Sequence, residues 1–90
     1  YDPCYAYELA VIIQDGLRRM VAERADVFYY VTVMNENYVH PPMPEGVRED
    51  ILKGMYRLRT GGAGDGKRVR LLGSGTILRE VEAAADMLQE

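Results

Sequence analysis

The eight residues 27–34, VFYYVTVM, set the tightest limit on what this chain can fold into. They are β-branched and aromatic, with almost no polar alternation. Apolar residues on both faces describe a strand sandwiched between layers, as in a parallel α/β sheet, because an exposed antiparallel strand would alternate. The segment before it must then be a covering layer. Tyr5, Leu9, Ile12, Ile13, Leu17 and Met20 recur at three- and four-residue steps, which predicts an amphipathic helix running to about Ala22. Asp2-Pro3 is a helix-start pair, since Asp caps and Pro suits the first helical position. Gly16 inside the helix predicts close packing there, and Ala25-Asp26 a tight connection into the strand.

Beyond the strand, a short helix is expected from Pro44-Glu45 to Gly54, with Ile51 and Leu52 inward. Residues 55–60 and 67–73 flank the glycine-rich GGAGDG of 61–66. Period-two alternation on both arms puts Tyr56, Leu58, Val69 and Leu71 on one side and predicts a β-hairpin. The GSG of 73–75 turns into a helix from about Thr76, carrying Ile77, Leu78, Val81, Ala84, Ala85 and Leu88. The order is therefore helix, strand, helix, hairpin, helix. The one plausible domain boundary is the flexible RTGGAGDG, with the end of one α/β unit before it and the first strand and helix of another after it.

Composition narrows the function classes. The hydrophobic fraction of 48% is that of a globular protein. A net charge of −3 with acids and bases interspersed leaves no electrostatic footprint for nucleic acid. No apolar stretch approaches the roughly 20 residues that span a bilayer. The single Cys4 cannot form an internal disulfide and fits a reducing cytoplasm, where the chain is expected to reside. The absent initiator Met and the uncapped EVEAAADMLQE lead us to expect an internal stretch of a longer chain.

Three glycine motifs mimic nucleotide or metal sites. GGAGDGK (61–67) fits a phosphate loop at Gly61, Gly66 and Lys67, yet Arg68 replaces the magnesium-binding hydroxyl and the loop opens a strand rather than a helix. GSGTILR (73–79) has the right setting for a dinucleotide fingerprint, but Leu78 stands at the third glycine position. A tight βα turn explains it better, although its backbone amides suit an anion at the helix N-terminus. Gly64-Asp65-Gly66 lies inside the hairpin loop, where a metal motif does not belong.

The richest chemistry lies just past the strand. Open α/β sheets bind ligands outside the carboxyl ends of their strands. There stand Asn35, Glu36, Asn37, Tyr38 and His40: amides that donate and accept, a titratable carboxylate, and the one imidazole of the chain. Pro41, Pro42 and Pro44 restrict the backbone and hold these side chains in place. Capping and turn formation by the Asn residues, and a structural His, are the plainer alternatives. Nothing in the spacing brings Cys4 to His40 as a thiol–imidazole pair.

DPCYAYELAVIIQDGLRRM, VFYYVTVMNENY, PMPEGVREDILKGMYRL and LLGSGTILREVEAAADML, taken together and in order, resemble the bacterial pyruvate dehydrogenase complex's decarboxylating, acetyl-transferring first component. The likeness is to the homodimeric, thiamin-diphosphate-dependent type. It implies that residues 1–60 end a transketolase-like, pyrimidine-binding middle domain, and that 61–90 supply the loop, first strand and helix of a transketolase C-terminal-like domain. It also implies an oxidoreductase of pyruvate metabolism with thiamin diphosphate and magnesium. Pyruvate is decarboxylated, and the two-carbon fragment reductively acetylates the lipoyl domain of the partner dihydrolipoamide acetyltransferase. The motifs that anchor cofactor and metal belong to earlier parts of such enzymes, so no cofactor or metal ligand is expected in these 90 residues.

Residue by residue, the resemblance places Glu36 and the nearby His at the active-centre channel, as catalytic candidates for proton transfer. Asn35, Asn37 and Tyr38 become supports of the loop. In many members His directly follows the Tyr; here Val39 intervenes and His40 comes one step later. Either the proline-held loop absorbs the shift or His40 faces elsewhere. The 90 residues alone are expected to be inactive. Two other readings are a small non-catalytic α/β module that works by association, and a related transketolase-family enzyme.

Overall fold

The computed structural model describes residues 1–62 and 66–89. Its first helix, α1 (Ala6–Leu17), begins where side chains satisfy its leading amides. Glu8 Oε2 accepts the N–H groups of Cys4 at 2.5 Å and Tyr5 at 2.6 Å, and His40 Nδ1 accepts that of Ala6 at 2.9 Å. Leading amides lack partners within a helix, so these acceptors decide where it starts. The expected start at Asp2-Pro3 is corrected accordingly. Tyr5 takes the cap position in an extended conformation, and Asp2 is engaged by Thr32.

The buried face of α1 also differs from the expected stripe. Val11 and Ile12 are buried, with Glu8, Asp15 and Gly16 beside them, whereas Ile13, Leu17 and Met20 are exposed. The helix carries two overlapping apolar stripes, and contact with α2 (Arg48–Leu52) selects one of them. Val11, Ile12, Val47 and Ile51 form the core, ringed by Tyr7, Tyr29, Val31, Leu52 and Tyr56. Gly16 is as close-packed as expected: a Cβ there would stand 3.5 Å from the Tyr29 ring. After Leu17 the helix widens into a π-helical stretch, Arg18–Ala22, and Arg24 at φ 53° in the left-handed region turns the chain out of it.

Residues 27–31 alternate between half-buried and exposed, and Val33 and Met34 beyond them are both exposed. Tyr29 and Val31 face the core, whereas Phe28 and Tyr30 are 88% and 76% exposed, so one face is covered rather than the expected two. The pairing of this segment is confined to Tyr1. The Tyr1 amino group donates to Tyr30 O at 2.9 Å, and Thr32 N–H donates to Tyr1 O at 3.1 Å. Bonds from one residue that bracket the residue opposite, here Val31, are a rung of parallel type. One rung is not a sheet: the regular elements among the described residues are helices, and the expected α/β layering is not seen among them.

The β-hairpin is likewise not formed. On the first arm Tyr56 and Leu58 are half-buried as expected, but on the second Val69 and Leu71 are exposed. Arg57 and Arg59 on one arm would face Arg68 and Arg70 on the other, and like charges across a ladder destabilise it. Instead Arg59 turns to the last helix, α3 (Ile77–Gln89), donating to Asp86 Oδ1 at 2.8 Å and Glu82 O at 3.0 Å. Ala63, Gly64 and Asp65 lie outside the described residues, and with them most of the Gly64-Asp65-Gly66 motif. Along α3, Leu78, Val81 and Ala85 are half-buried, whereas Ile77, Met87 and Leu88 are exposed. The Cα radius of gyration is 15.4 Å, against about 12 Å for a compact chain of this length. Much apolar surface is thus uncovered.

Candidate functional site

The N-terminal turn of α1, the loop 35–40 and the first turns of α3 meet in one cluster. His40 enters through its bond to Ala6: because Nδ1 accepts, the proton of the neutral ring resides on Nε2, which is left as a donor. The imidazole stacks on Tyr38, with centroids 4.7 Å apart and planes 22° from parallel, and meets the Tyr5 ring edge-on at 6.1 Å. The Tyr38 hydroxyl donates to the Cys4 carbonyl. Val39, the residue that separates Tyr38 from His40, is 89% exposed; Tyr38 is half-buried and His40 exposed, and the two rings still stack on each other. His40 therefore does not pair with Cys4, whose buried thiol is pushed up by desolvation.

Glu36 is exposed, and Arg79 of α3 holds it. Arg79 Nη1 donates to Glu36 Oε1 at 2.8 Å, and its guanidinium carbon lies 4.3 Å over the Tyr38 ring. One turn further on, Glu82 accepts from the Tyr5 hydroxyl; burial, first, and that carboxylate push the phenol well above its ordinary range. Among the expected residues the structure thus joins Glu36, Tyr38 and His40. Asn35 and Asn37 are exposed beside them. Sequence reasoning missed Tyr5, Arg79 and Glu82. Arg79 carried a signal, because a cation in the first turn of a helix opposes the macrodipole unless a nearby anion offsets it.

The cluster is open chemistry: a carboxylate, an imidazole Nε2–H and a guanidinium on one surface, suited to binding an anionic substrate and passing a proton. Two concavities lie elsewhere on the surface, one lined by Tyr1, Arg19 and Phe28 and one by Asp2, Glu8, Ile12 and Ile51; Glu36, Tyr38, His40 and Arg79 line neither. Among the described residues no group of three His, Cys, Asp or Glu is arranged to hold a metal ion, and no helix is long and apolar enough to cross a membrane. Asp2 already occupies the GSG turn. Gly75 N–H donates to Asp2 O at 2.9 Å, and the Asp2 carboxyl is held below its usual range by hydrogen bonds from Thr32, then Ser74.

Sequence comparison gives a lineage to this polar loop, which is framed by a helix N-terminus and a second helix. Residues 1–41 match the family described as the pyruvate dehydrogenase E1 component middle domain. The whole chain matches pyruvate dehydrogenase E1 components. It is 65% identical to that of Cupriavidus necator over 91 aligned positions, 62% to that of Pseudomonas aeruginosa over 89, and 57% to that of Escherichia coli K12 over 89. These alignments take in 100%, 99% and 98% of the chain but 10% of each relative, so the chain spans about a tenth of the length of these relatives.

Proposed function

We propose that the chain serves the decarboxylation of pyruvate, as part of a pyruvate dehydrogenase E1 component. The observation that carries this reading is the 65% identity along the entire chain, which includes the loop with Glu36, Tyr38 and His40. Thiamin diphosphate, with magnesium, supplies the electron sink for decarboxylation in such an enzyme. This chain supplies proton handling. Glu36 is the carboxylate that gives and takes a proton at the substrate, and His40 Nε2–H donates to the developing negative charge. Tyr38, Asn35 and Asn37 hold the loop in position.

In the same reading, residues 27–34 and the Tyr1 rung belong to a parallel α/β sheet whose other strands lie elsewhere in the protein. Residues 1–60 close a middle domain and 61–90 open a C-terminal one. The two-carbon product passes to the lipoyl domain of an acyltransferase, and the enzyme works as a homodimer in the cytoplasm. The 90 residues by themselves are inactive, because Phe28, Tyr30, Ile77 and Leu88 still await cover.

The test is steady-state turnover of pyruvate by the full-length enzyme. Glu36→Gln keeps the shape and removes the proton chemistry, so kcat falls by about 10²-fold or more. Unchanged kinetics in that variant would remove Glu36 from the reaction.

A further inference from the structure

We infer that Arg79 is the positioning residue of this site: from α3 it locks Glu36 and Tyr38 into one arrangement, and through the Tyr38 stack it also fixes His40. The inference rests on the reading of Glu36 and His40 given above. Its grounds are geometric. One guanidinium makes both contacts at once, a 2.8 Å bond to the Glu36 carboxylate and a 4.3 Å approach over the Tyr38 ring. A flat, delocalised cation with several N–H donors can do both, whereas an ammonium cannot. The Tyr38 ring passes the constraint to His40 by stacking at 4.7 Å.

A second tie stops the loop from swinging with α3. Glu82, one turn beyond Arg79, accepts from Tyr5, whose ring meets both Tyr38 and His40 edge-on at 6.2 and 6.1 Å. The cluster is therefore held from α3 at two points, and the α1 N-terminus anchors it at a third through Ala6 and His40. The three prolines after His40 limit what the backbone can do, but they do not choose a direction for Glu36. Arg79 makes that choice. Its place in the first turn of α3, where a positive charge works against the helix dipole, is offset by the carboxylate it holds.

The experiment uses the full-length enzyme with Arg79→Gln, Arg79→Lys, Glu36→Gln and the Arg79→Gln/Glu36→Gln pair. Two readouts are taken: steady-state pyruvate turnover, and amide hydrogen exchange over residues 35–40. The ion pair is half-exposed, so Arg79→Gln lowers kcat by roughly three- to fivefold. In the Glu36→Gln background the same change has little further effect, because its target is already gone. Arg79→Lys recovers part of kcat through charge alone. Exchange over 35–40 accelerates in Arg79→Gln. A loop with unchanged protection overturns the inference, as does a loss of kcat that simply adds to that of Glu36→Gln. If exchange accelerates while Glu36→Gln leaves turnover intact, the positioning role stands and the catalytic reading of Glu36 falls.

Discussion

Gly75→Ala is the substitution whose effect can be worked most fully from the structure. Gly75 sits at φ 54°, in the left-handed region, where a Cβ costs about 1–2 kcal/mol. The same Cβ would stand 2.8 Å from both carboxylate oxygens of Asp2, inside any tolerated contact. Asp2 then has to withdraw from Thr32 and Ser74, and each partly exposed hydrogen bond lost adds up to about 1 kcal/mol. The total is about 1–4 kcal/mol.

Gly46→Ala is the control. It lies at φ 73° with nothing within 4 Å of its Cβ, so it suffers the backbone term alone. Urea unfolding followed by far-ultraviolet circular dichroism compares the two, and in an Asp2→Ala background Gly75→Ala should cost no more than Gly46→Ala. Equal costs for the two single variants, or an undiminished cost once Asp2 is truncated, would refute the placement of the Asp2 carboxylate on the GSG turn.

Other outcomes follow from the same structure. Glu8→Ala leaves the amides of Cys4 and Tyr5 without their acceptor inside a buried site, and should destabilise the chain by about 1–2 kcal/mol in the same urea assay, with loss of helical signal. The Asp15 carboxyl is held below its ordinary value of 3.8, first by the Tyr29 hydroxyl and then by Arg18. Its native form therefore binds fewer protons than its unfolded form, and its stabilisation is present above that ordinary value. It is lost as pH falls from there through the lowered native one. Asp15→Asn should flatten the acid limb of the stability profile between pH 5 and 2, and an unchanged limb would discount the Tyr29 contact.

Much of the local plan was written in the residues themselves. The helical period of α1, the close approach at Gly16 and the helix after GSG depend on steric and hydrogen-bonding rules a few residues long, and they reappear in the structure; α2 does too, but it begins at Arg48 rather than at Pro44-Glu45. The inventory of the polar loop past residue 34 was legible for a related reason, since its carboxylate, amides, imidazole and three prolines are read directly from the residues. Which apolar stripe of α1 turns inward was not legible. Two stripes overlap, and only contact with Val47 and Ile51 tells them apart.

The same limit explains the strands. Residues 27–34 have strand chemistry, yet a ladder is a property of neighbours; here Tyr1 provides a single rung, while the cationic arms around GGAGDG repel each other. The sequence by itself determined the helices, the turn glycines and the inventory of the loop, because those depend on short-range sterics and side-chain chemistry. Only the tertiary structure decided that Arg79, 43 residues beyond Glu36, is the group that holds it. Pairings over such a separation leave no periodic trace, since they come from the packing of whole elements rather than from any rule that neighbouring residues obey.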